Sequence, residues 1–68
     1  MFKKEELENL VQLGEALTVL LGLPEKKTMM VIMACMRHAD YLRDTIGRID
    51  YKMIRLEVIA QYRMGISK

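Results

Sequence analysis

The segment TMMVIMACMRH, residues 28–38, gathers four of the chain's seven methionines with its one cysteine and its one histidine. Thioether, thiolate and imidazole are together the donor set that soft copper(I) prefers. Cys35 and His38, one helical turn apart, are also the pieces of a nucleophile and its general base. The surrounding pattern disfavours both chemistries. One cysteine and one histidine fall short of the four ligands of a structural zinc site. Cys35 and Ile32 fall on the seam where an amphipathic helix meets its core, and a nucleophile on a packed face does not reach a substrate. Met29, Met33 and Met36 lie within about 60° of one another on a helix, an arrangement suited to packing a core or an interface with flexible thioethers. The only serine, Ser67, is in the C-terminal tail.

Two further patterns carry charge. Asp40 and Asp44 are one turn apart, as a carboxylate pair would be, yet Arg43 and Arg48 supply ordinary helix-surface partners for them. No enzyme, cofactor or metal is therefore expected. Tyr41, Arg48, Arg55 and Tyr62 recur every seven residues, with Lys52 beside them, so that one helix ridge would offer rings for stacking and cations for phosphates. The bland reading of that ridge is a solvated face whose tyrosines pack at an interface.

Length limits the elements that position these residues. A chain of 68 residues forms one domain, burying only about 60% of its unfolded surface, and is marginally stable alone. A lone cysteine provides no disulfide framework, which leaves self-association as a source of extra stability. Composition is that of a globular protein, with 51% apolar and 29% charged residues. MFKKEELENL follows its lysines with glutamates where a signal peptide has its apolar region, and no apolar run approaches the roughly 18 residues of a membrane span. The expectation is a cytoplasmic protein with no membrane contact. Net charge is +2, with the excess cations in residues 28–68, which is weak evidence for an anionic partner.

Punctuation concentrates in LGLPEKK, where Gly22 suits a left-handed helix end and Pro24 the start of the next helix. A first helix over residues 4–21 places Glu5, Glu6 and Glu8 near its positive N-terminal end. Its apolar stripe runs through Leu7, Leu10, Val11, Leu13, Gly14, Leu17, Leu20 and Leu21. Gly14 on that stripe costs about 1 kcal/mol relative to Ala and invites close approach of another helix. Beyond Pro24 a heptad count places Ile32, Ala39, Ile46, Met53 and Ala60 at position a, with Cys35, Leu42, Ile49 and Leu56 at d. That unbroken phase favours one continuous helix over residues 25–64, about 60 Å long, over a break near Gly47.

The expected fold is all-α, with residues 1–68 as a single helical domain: a hairpin of a short and a long helix that dimerises into a bundle. A three-helix bundle broken near Gly47 is the alternative. Half of a 60 Å helix would lack cover, exposing apolar area too large to stand in water. The expected function is that of a small homodimeric interaction or regulatory protein. It would bind another protein through the apolar face of Tyr51, Ile54, Val58 and Tyr62. Binding nucleic acid through Tyr41, Arg48, Lys52 and Arg55 is the alternative.

Overall fold

A computed structural model describes residues 2–64. Three helices follow one another in these residues: α1 (Lys4–Leu20), α2 (Thr28–Ile46) and α3 (Tyr51–Arg63), with a single 3-10 turn over Glu25–Lys27 leading into α2. At the start of α1 the Glu6 carboxylate accepts the Lys3 N–H at 2.9 Å, half of a capping box. Its other end closes on Gly22, whose φ of +68° only glycine adopts without strain. There the Leu23 N–H donates to the Thr18 carbonyl and the Gly22 N–H to the Val19 carbonyl, both at 3.0 Å. This pair of bonds makes up the Schellman motif and satisfies carbonyls that the helix end leaves unpaired. The helix boundary expected around Gly22 and Pro24 therefore stands, with α1 ending within one residue of its expected limit.

The continuous helix over residues 25–64 does not form. Gly47 takes φ +77°, and its N–H closes α2 by donating to the Arg43 carbonyl at 3.1 Å. Three residues later Asp50 caps α3, its Oδ1 accepting the Met53 N–H at 3.2 Å. Arg48 reaches the other carboxylate oxygen of Asp50 at 3.4 Å. A glycine stop followed by an aspartate start satisfies the backbone on both sides of the bend. With this geometry the chain folds α3 back onto itself, and its longest dimension is 31 Å, about half that of the expected helix. The helix count, three with a break at Gly47, is that of the alternative.

The heptad phase breaks at the same bend. Ala39 and Leu42 of the seam are buried as expected, but Ile46, Met53 and Leu56 are exposed. Instead α3 turns Ile54 and Val58 inward, both with no accessible surface, against a core formed by Leu10 and Leu17 of α1 and Val31, Cys35, Ala39 and Leu42 of α2. The close packing of α1 on α2 depends on Gly14. A Cβ there would overlap Cγ1 of Ile32 and stand 2.8 Å from its Cα. Thr18, also buried, satisfies its hydroxyl by donating to the Gly14 carbonyl at 2.7 Å. At the opposite end of the hairpin the Arg43 guanidinium covers the Phe2 ring at 4.7 Å and approaches the Glu6 carboxylate at 3.9 Å. That cation–π and ionic contact ties the beginning of the chain to the last turns of α2.

Candidate interaction surface

Eight consecutive residues of α2, 29–36, are apolar, covering every side of more than two helical turns. A helix segment that is apolar all round belongs in an interior. Here only one side has cover. Val31, Ile32, Ala34 and Cys35 are buried, whereas Met29, Met30 and Met33 remain 64%, 54% and 52% exposed. At 100° per residue these three, with Arg37, occupy the arc of α2 opposite Val31, Cys35, Ala39 and Leu42. Further along the same outward arc come Asp40 and Asp44, and before it Lys26, all three exposed. Along this side Lys26, in the 3-10 turn, precedes the methionines, and Arg37, Asp40 and Asp44 follow them.

A furrow between α2 and α3 adjoins this surface. Ala34, Leu42 and Ile54 form its apolar part, and Arg37, His38, Tyr41, Met53, Glu57 and Gln61 complete a lining around about 420 Å³. It continues past Ala34, Arg37 and Gln61 into a second depression of about 290 Å³ beside Met30, Met33 and Tyr62. Methionine suits such a surface because its unbranched, polarisable side chain adjusts to the shape of whatever packs on it.

Comparison of the chain with protein-family models, curated proteins and solved structures gives no match.

The residues singled out in the sequence are dispersed by the fold. Ile54 and Val58, expected to form a protein-binding face with Tyr51 and Tyr62, are fully buried, and both tyrosines are half-buried beside them. The chain's own core occupies that face, because the bend at Gly47 returns it to α1 and α2. The nucleic-acid ridge is also divided. Tyr41 lines the furrow with Met53 and Glu57, and Arg55 lies about 160° around α3 from both of them. Arg48 leaves the helices altogether and sits in the linker against Asp50. Lys52 and Arg55 alone keep a shared exposed side.

The sulfur cluster likewise does not converge. Cys35 is fully buried in the core, on the side of α2 away from Met33. Its thiol pKa is pushed up to about 11 by desolvation, which makes it a poor nucleophile and a poor soft-metal ligand. Among the described residues no three His, Cys, Asp or Glu side chains group in a way that could hold a metal ion. No described helix is long and apolar enough to cross a membrane. Ser67 lies outside the described residues.

Ile46, Met53 and Leu56 are surface residues that the heptad spacing places in a seam. The signal that separates them from it is the pair Gly47 and Asp50, a stop and a start three residues apart, set against an apolar period that continues across both.

Proposed function

We propose that the protein is a small, non-enzymatic interaction or regulatory protein that self-associates or binds another protein through an apolar helix face. The face that supports this reading best is the outward side of the first two turns of α2. A single observation carries it: eight successive apolar residues, of which three methionines remain more than half exposed. Contiguous exposed apolar surface on a small domain marks an interaction site more often than a neutral one, and an amphipathic helix laid in a groove is a common mode of occupancy.

A photo-crosslinking residue at position 33, compared with one at Gln12 on the exposed side of α1, tests this in the cell that makes the protein. Covalent protein adducts, to itself or to another chain, are expected from position 33 and not from position 12. Equal yields at the two positions would refute the assignment of the face.

One observation favours nucleic acid as a second reading. Lys52, Arg55 and Arg63 are exposed and fall within about 80° of one another on the side of α3 away from Glu57. Changing Lys52 and Arg55 to Gln should then weaken binding to labelled RNA or DNA and flatten its salt dependence. Anisotropy titrations that show no binding by the unaltered protein at low salt would end this second reading.

A further inference from the structure

The outward side of α2 specifies what covers it. We infer that its occupant is a second copy of the same chain, with the two α2 helices crossing antiparallel near Met33; this rests on the face proposed above. Seven residues to either side of Met33 the charges on this arc are opposite, and Arg37 is the one further charge between them. Lys26, in the 3-10 turn that leads into α2, precedes Met33 by seven residues and Asp40 follows it by seven, both exposed, so each stands roughly 10 Å along the axis from the crossing point. In an antiparallel pair Lys26 of each copy lies opposite Asp40 of the other, twice by symmetry. In a parallel pair lysine would face lysine and aspartate would face aspartate. Between the charged ends Met33 meets its own equivalent, and Met29 and Met30 meet the aliphatic stem of Arg37, which covers apolar surface while its guanidinium stays in water. A two-fold axis uses the same patch on both copies, so the surface must complement itself. Of the two orientations, only the antiparallel one sets Lys26 against Asp40.

Three methionines and an arginine stem per copy form a patch at the small end of specific interfaces, which sets the association in the weak, concentration-dependent class. The folded monomer is complete without it, since the core residues are already buried.

Sedimentation equilibrium of the purified chain across micromolar to millimolar concentration is the test, run with Lys26→Asp, Asp40→Lys and the chain carrying both changes. Each single swap replaces two attractive pairs by two repulsive ones and should weaken dimerisation about tenfold at low salt. The doubly swapped chain restores opposite charges across the axis and should return to within about threefold of the original. Met33→Lys should leave helix content intact and the protein monomeric. Monomer at every concentration for the unaltered chain overturns the inference, and persistent crosslinks from position 33 to a different protein would then leave the functional reading standing. Single swaps that dimerise as well as the original, or a double swap that fails to recover, overturn the antiparallel pairing.

Discussion

Replacing Gly14 by alanine sets two known effects against each other. In an exposed helix interior the change stabilises by about 1 kcal/mol, since alanine is the better helix former. At this position the added Cβ meets three atoms of Ile32, and only Cγ1 can swing aside. Its Cα at 2.8 Å and its backbone N at 3.0 Å move only if the two helices separate. Overpacking of this kind costs about 1–3 kcal/mol, and two immovable neighbours put the cost at the upper end, so the net loss should be about 1–2 kcal/mol. For a chain of this length total stability is roughly 3–10 kcal/mol, and each kilocalorie shifts Tm by about 4–8 °C. Thermal unfolding followed by circular dichroism, at one fixed protein concentration because any association adds stability, should show Tm lowered by roughly 5–15 °C. A urea titration should show a lower midpoint with an unchanged slope. Gln12→Ala, on the exposed side of α1, is the control and should stay within about 0.5 kcal/mol. If Gly14→Ala unfolds at the same temperature as the original or higher, the close approach of α1 to Ile32 is not what holds the hairpin together.

Gly47→Ala separates a bend from a continuous helix by its sign. At φ +77°, with no atom near the new Cβ, it should cost about 1 kcal/mol in urea denaturation, whereas inside an unbroken helix it would gain about as much. Ile54→Lys combined with Val58→Lys places two charges where there is no solvent and should abolish the cooperative thermal transition; a variant that unfolds like the original would show that this side of α3 is not core. The Cys35 thiol has a folded pKa of about 11 against an ordinary value of 9.0, so the folded chain holds its proton where the unfolded chain releases it. Its contribution is fully present below pH 9 and is lost as pH rises towards 11. Stability should therefore fall across that interval, and more steeply in the original than in Cys35→Ala, as measured by urea midpoints at each pH.

Local chemistry was legible in this sequence where one interaction decided the outcome. Gly22 ends α1 through its own backbone preference, three of the four glutamates of α1 gather at its N-terminal end, and Gly14 is needed at the point of contact its place on the apolar stripe suggested. The bend at Gly47 was harder because two signals conflict there. The a/d spacing runs through it without a slip, favouring a long helix, while glycine and the capping aspartate favour a stop. What decides between them is the tertiary gain of burying Ile54 and Val58 against α1 and α2, and periodicity along one helix holds no information about packing between helices. The same limit explains the candidate sites. Residues spaced by seven share a ridge only on an uninterrupted helix, so Tyr41 and Arg55 separated once the helix ended between them. The methionine segment has the composition of core or interface packing, but three of its four methionines are exposed, because which of its sides remained outside depended on where α1 and α3 came to lie.

The order of the helices in space also bears on how quickly the chain reaches its fold. Each helix packs chiefly on its neighbour in sequence, the seven residues between α1 and α2 and the four between α2 and α3 being all that must close. Short closures cost little entropy before they are repaid by burial, and helical proteins with mostly local contacts fold in microseconds to milliseconds. Ribosomes extend a chain by about 5–20 residues each second, far more slowly than that. Closure of the α1–α2 hairpin is therefore not limited by the pace of synthesis, and the methionine side of α2 is turned outward from the moment the hairpin exists.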